Sequence, residues 1–176
     1  MPTLEPILAQ HPFFGGLKPE HLQSLTGCAS NVRYSAGTYI FREGDVASNF
    51  YIIRQGKVAV ETHAAERGLI TIQTIEAGEV LGWSWLFPPY RWHFSARVVE
   101  PTLAFALDGT CLRDKSGGDH DLGYELLMRF AQVIIQRLEA TRLQLLDVYG
   151  VHTPGELSSK PQHPKIRPIS RNSPRW

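Results

Sequence analysis

Between Val32 and Asp108 apolar positions gather in short runs, rich in β-branched and aromatic residues and punctuated by Gly, Asp and Asn. That pattern predicts strands at Asn31–Tyr34, Thr38–Phe41, Asn49–Arg54, Lys57–Thr62, Leu69–Ile75, Phe94–Val99 and Leu103–Asp108. Turn signals at Gly37, Glu43-Gly44-Asp45, Gln55-Gly56 and Gly68 separate them. Short strands at regular spacing indicate a closed or rolled antiparallel architecture. Ahead of them, residues 4 to 28 read as short helical pieces, with Pro19 near a helix start and Gly27 near its end.

Beyond Asp121 the period becomes helical. From Asp121 to Tyr149, with no Pro or Gly after Gly123, apolar residues fall alternately three and four apart. Tyr124, Leu127, Ala131, Ile134, Leu138, Leu145 and Val148 form a heptad-like seam, interrupted only by Thr141. Leu126, Phe130, Val133 and Leu143 make a second stripe. One face can pack on the strands while the other packs on a second copy, because helices of this length seldom leave an apolar face in water. The alternative is a single amphipathic helix lying on its own domain.

Composition narrows the picture. The 176 residues are 43% hydrophobic, enough for one core plus an appendage. A formal charge of +1 points to no partner class. No run of about 18 apolar residues is present, so no membrane span is expected. The N-terminus has no basic segment of the kind that opens a signal peptide. Cys28 and Cys111 lie far apart and form no metal-type spacing, so two buried, reduced thiols are expected in a cytoplasmic protein. Residues 151–176 hold five of the twelve prolines and five Lys/Arg against one acid, and read as a disordered basic tail.

Three of the four tryptophans fall in "GEVLGWSWLFPPYRWHFSAR", Gly78 to Arg97. No Gly-x-Ser-x-Gly, Walker-type loop, His-Glu-x-x-His or carboxylate pair is present there or elsewhere, so an enzyme is not expected.

The order of residues in "IFREGDVASNFYIIRQGKVAVE" resembles the β-roll of cyclic-nucleotide-binding domains. The resemblance rests on Glu43-Gly44-Asp45, Phe50-Tyr51-Ile52-Ile53, Gly56 and Val58/Val60, followed by Gly78 and Gly82 where the family places its phosphate-binding cassette. Val98 to Asp108 looks like the closing strands, and the long helix is similar to the dimerisation helix of bacterial Crp/Fnr regulators. The implied fold is α+β, mainly β: a double-stranded, jelly-roll-like β-roll with N-terminal helices over 1–120, a C-terminal dimerisation helix over 121–150, and the tail. The resemblance also implies a homodimer formed through Leu127, Ala131, Ile134, Leu138 and Leu145. It further implies a small-molecule sensor with ligand contacts at Gly82, Trp83, Ser84, Trp85, Arg91, His93, Thr141 and Arg142.

In such a cassette a phosphate sits at a short helix N-terminus beside an Arg, and a Glu takes the ribose. Here Trp83 stands at the Glu position, and the Arg position falls among Arg91, Trp92 and His93. Losing a hydrogen bond to a charged group costs about 1.5–3 kcal/mol, roughly ten- to more than a hundredfold in affinity. Three alternatives follow: a pocket filled by its own tryptophans, a site re-aimed at another ligand, or retained cyclic nucleotide binding. Haem on His93 is not expected, and no cofactor is named. Thr141 lies where the family's helix threonine meets adenine, with Arg142 after it in place of a small hydroxyl residue. Family transcription factors carry a helix-turn-helix after the long helix. The 26 residues after Gly150 are Pro-rich and unperiodic, so DNA reading by a recognition helix is not expected.

Overall fold

A computed structural model describes residues 4–148 and 150; the tail expected over 151–176 lies outside the described residues. The N-terminal cap comprises helix α1 (Glu5–Ala9), a 3-10 turn (Pro12–Phe14) and helix α2 (Pro19–Thr26). Pro19 opens α2, where its missing N–H costs nothing, and Gly27 closes it. Six strands follow: β1 (Ala29–Tyr34), β2 (Tyr39–Phe41), β3 (Asn49–Ala64), β4 (Gly68–Glu76), β5 (Val80–Leu81) and β6 (Ser95–Asp108). Helices α3 (Gly109–Gly118) and α4 (His120–Val148) complete the chain.

All strand pairs are antiparallel, and the fold is the mainly β roll expected, with the long helix last. Two pairs of expected strands are each one bent strand. In β3, Asn49–Arg54 and Lys57–Thr62 join through Gly56, and in β6 the two expected runs join through Pro101. The register between β3 and β6 shifts around Gln55 and Lys57, so both strands turn a corner together. One arm of each pairs with β1 and β5, the other with β2 and β4, and the corner converts six strands into a roll. Gly56 is required at that corner: its φ is +94°, and a Cβ there would lie 2.4 Å from the Pro101 carbonyl oxygen.

The runs Phe50–Ile53 and Val58–Glu61 are buried without alternation, because residues on both sides of the sheet are covered. Helix α4 buries Leu122, Leu126, Phe130 and Val133 against the roll. Arg129, also buried, donates to the carbonyls of Phe13 (2.8 Å) and Gly15 (3.0 Å) and to Glu125 (3.1 Å), tying the cap to α4. Leu143, expected in the second stripe, is exposed: the inner stripe runs 126, 130, 133, 137, 140 and 144, and Leu143 falls out of that helical phase.

One element was not anticipated and one expectation is corrected. Helix α3, for which no reading was made, is capped by Asp108, which accepts from the Cys111 N–H at 2.7 Å. The cysteines are not reduced thiols: Cys28 and Cys111 form a disulfide, with Cα atoms 5.8 Å apart. The physical reason is register. Ala29 pairs with Leu107 and the Asp108 N–H donates to the Cys28 carbonyl, so the first turn of α3 brings Cys111 over Cys28.

Candidate functional site

The stretch after Gly82 forms turns instead of the short helix of a phosphate cradle. Its path is set by Leu86 N–H donating to Trp83 O (3.1 Å) and Tyr90 N–H to Phe87 O (2.9 Å), with a cis bond between Pro88 and Pro89. Two of its tryptophans point inward. Trp92 stacks on Phe41 with centroids 3.6 Å apart and planes 9° apart, and its ring lies against Gly82. A Cβ on Gly82, whose φ is +89°, would sit 2.7 Å from that ring. Gly82 itself, the second glycine of the element, is therefore covered by indole.

Trp85 serves a different junction. It stacks on Phe50 (5.4 Å, 21°) and meets Phe130 of α4 edge-on (5.4 Å, 70°). Phe130 also packs edge-on against Phe50 (5.0 Å) and Phe13 (5.1 Å). Cap, roll, cassette and long helix thus share one four-ring cluster, whose edge-to-face and offset geometries are those that ring quadrupoles favour. Arg113 of α3 secures the same loop, donating to the Trp85 carbonyl (2.5 Å) with its guanidinium 4.3 Å from the Tyr90 ring centroid.

The remaining expected ligand residues divide. Half-buried Trp83 stacks on exposed His93 (5.3 Å, 18°), and buried Ser84 places its Oγ 3.2 Å from His93 Nδ1. Arg91 turns away, donating to the Gly44 carbonyl at 2.8 Å. Thr141 and Arg142 are exposed on α4, far along the helix from the cassette contacts, and Thr141 Oγ1 bonds back to Arg137 O at 2.9 Å. Gly82, Trp83, Ser84, Trp85 and His93 are gathered near one another; Arg91, Thr141 and Arg142 are not brought to them. Among the described residues no cluster of His, Cys, Asp or Glu is placed to hold a metal.

A second feature was not expected. A groove of ≈ 270 Å³ lies between β4 and the inner face of α4, reaching Glu79 and Val80 at one end. The inner stripe of α4 continues into it: Leu126, Phe130 and Val133 are followed at the same spacing by Arg137, Ala140 and Gln144. Arg137 donates to the Val80 carbonyl. Burial lowers its guanidinium to about 10, an effect only partly offset by the charge of Glu79, so it is a cation at neutral pH. The missed signal was this stripe, an arginine in phase with three core residues.

On the opposite side of α4 the seam is uncovered. Leu127, Leu138 and Leu145 are exposed, and Ala131 and Ile134 are half-buried.

An antiparallel roll closed by a long helix, with a Gly-x-x-x-Gly element leading into the cassette turns, is the architecture of cyclic nucleotide-binding β-rolls. Residues 31–115 match the family described as Cyclic nucleotide-binding domain, and the roll of this chain belongs to it. Among solved structures of the same fold are the sensor domain of a Pseudomonas aeruginosa transcriptional regulator and the regulatory domain of a Toxoplasma gondii protein kinase. A putative cyclic nucleotide-binding protein from Geobacter metallireducens is 26% identical with a TM-score of 0.70, covering 76% of this chain and 97% of that one. A cyclic nucleotide-binding domain from Methylobacillus flagellatus shares the fold at 20% identity and TM-score 0.74, covering 89% of each chain. The catabolite activator protein of Thermus thermophilus is 25% identical with a TM-score of 0.62, and the match spans 79% of this chain and 63% of that protein. No curated protein matches the chain. No helix among the described residues is long and apolar enough to cross a membrane.

Proposed function

We propose that this domain is a dimeric, ligand-responsive regulatory module of the cytoplasm, without catalytic activity, whose long helix reports ligand occupancy. The carrying observation is the two-sidedness of α4. One face holds Phe130 and Val133 against the roll and Arg137 in the groove, while the other presents Leu127, Leu138 and Leu145 uncovered. A small molecule that binds one arrangement of roll and helix better than another shifts the population between them, and the seam carries that shift to a second copy. Trp83 and His93, at the edge of the cassette, are the expected ligand residues this reading retains there.

The test is thermal shift and tryptophan emission against cyclic nucleotides, nucleotides, haem and a set of neutral and charged metabolites. A compound that raises the midpoint and perturbs emission supports the reading. A monomer mass by light scattering removes its dimer half.

The Trp92–Phe41 stack over Gly82 favours a second reading, in which the pocket is self-filled and the domain acts as an interaction module through α4 alone. Silence across the whole panel, with a dimer mass, would select it.

A further inference from the structure

The groove beside Arg137 has a chemistry of its own. Its β4 wall supplies Thr71, Gln73 and Thr74, and its α4 wall supplies Gln136, Arg137 and Gln144. These hydroxyls, amides and one guanidinium share the groove with apolar Ile72, Val80, Val133 and Ala140 and with the Glu79 carboxylate, where the same helix stripe is wholly apolar one turn earlier. A guanidinium has five donors in a planar fork. One Arg137 nitrogen serves the Val80 carbonyl. The nearest acid named by charge, Glu79, turns its own carboxylate to the Glu76 N–H at 2.6 Å. Among the described residues no carboxylate lies within ion-pair distance of Arg137.

A half-buried cation with spare donors, facing a cavity with polar side chains on both walls, is complementary to an oxyanion, which a guanidinium grips in bidentate fashion. The cavity of ≈ 270 Å³ corresponds to about nine water volumes, below the range of drug-sized pockets. The geometry points to a binding site for a small polar organic anion, a carboxylate or phosphate headgroup held by Arg137 with its body against Gln73 and Gln136. The inference rests on the ligand-responsive reading above and names the ligand class. It moves charge recognition from the cassette, where Trp92 covers Gly82, to the long helix itself. Arg137 lies between Ile134 and Leu138 of the exposed seam, so a ligand there acts on the element that carries the dimer surface.

The experiment uses the full chain at constant ionic strength, titrated with L-malate, glycerol 3-phosphate and neutral malamide, read by thermal midpoint. The expected result is a saturable upward shift with malate or glycerol 3-phosphate and none with malamide; which anion is preferred distinguishes carboxylate from phosphate. Arg137→Gln should weaken the response at least tenfold in concentration, the loss appropriate to a charge-assisted pair. Arg137→Lys, which keeps the charge without the fork, should fall between and serves if the Gln variant does not fold. The proposal is overturned if neither anion shifts the midpoint, if malamide matches them, or if both variants respond like the parent. A neutral metabolite that stabilises the protein independently of Arg137 would leave the ligand-responsive reading standing and remove this one; silence to every compound removes both.

Discussion

The Cys28–Cys111 disulfide closes a loop with a sequence separation of 83 residues, and its removal has an effect that can be calculated from that length. A cross-link over a loop this long withdraws chain entropy from the unfolded state worth about 4.5 kcal/mol at 25 °C. In the folded state little should change, because other contacts hold the junction. Lys115 donates to the Ser24 carbonyl (2.5 Å), and the Asp108 N–H to the Cys28 carbonyl (2.9 Å). The full figure is an upper value, since native strain and residual unfolded structure reduce it in practice, and 2–4 kcal/mol is typical. For a chain of this size about 2–4 °C is lost per kcal/mol, so 2–4 kcal/mol corresponds to a midpoint roughly 4–16 °C lower on reduction. The assay is thermal unfolding followed by circular dichroism, with and without reductant, on the parent and on the Cys28→Ser/Cys111→Ser variant. Only the parent should respond to reductant. Two alkylatable thiols in unreduced, denatured protein, or a parent midpoint indifferent to reductant, would refute the reasoning. Disulfides are rare in reducing compartments, where they tend to be redox-sensing, so the reduced midpoint is the one that bears on a cytoplasmic module.

Replacing Trp92 with Ala removes a buried ring stacked on Phe41 and should cost about 3–5 kcal/mol in denaturant unfolding; a loss under 1 kcal/mol would mean the indole does not fill the roll. Leu127→Asp/Leu138→Asp places charges on the uncovered seam and should give a monomer mass by light scattering while leaving tryptophan emission unchanged. His11 accepts from the Phe13 N–H at 3.2 Å, and burial lowers its pKa below 6.5, only partly offset by the nearby Gly78 backbone. The unfolded chain therefore takes up a proton that the folded chain refuses. Its contribution is full above pH 6.5 and is lost as pH falls from there toward the lower folded value. His11→Asn, which keeps an acceptor at that cap, should remove this increment of acid sensitivity, measured as the difference in urea midpoints between the two proteins across pH 7.5 to 5 (about two units spanning that window).

The roll was legible because short β-branched and aromatic runs are punctuated by turn residues and its corner glycine is unavoidable; Gln55-Gly56 read as a turn and is one, inside a continuous strand. The inner stripe of α4 was legible for the same reason, as Leu126, Phe130 and Val133 keep helical phase. Helix α3 was not, since "GTCLRDKSGG" has little apolar periodicity and two C-terminal glycines. Its order comes from partners distant in sequence: Trp85 and Ser24 accept from Arg113 and Lys115, and Cys28 bonds Cys111. The disulfide was hidden likewise, because only the β1–β6 register brings its halves together. At the site, the aromatic stretch marked the cassette, but which indole faces inward depends on Phe41 and Phe50 from other strands.

Those inward tryptophans change what a cassette can transmit. A phosphate cradle signals by gaining or losing a ligand between loop and helix. Here Trp85 already occupies a joint with Phe50, Phe13 and Phe130, and aromatic pairs of this kind are worth about 0.5–1.5 kcal/mol each beyond their buried area. The cassette loop therefore cannot move without disturbing α4, and α4 cannot move without disturbing the loop. Helix α3 reinforces the coupling, since Arg113 grips the loop while Cys111 binds the base of β1. A stiff joint of this sort does not itself sense anything. It confines any adjustable contact between roll and helix to the part of α4 beyond Val133, where the packing turns polar and Arg137 begins the groove. The Arg137 titration and the Trp92 substitution should give independent answers: the first alters ligand response, the second alters stability.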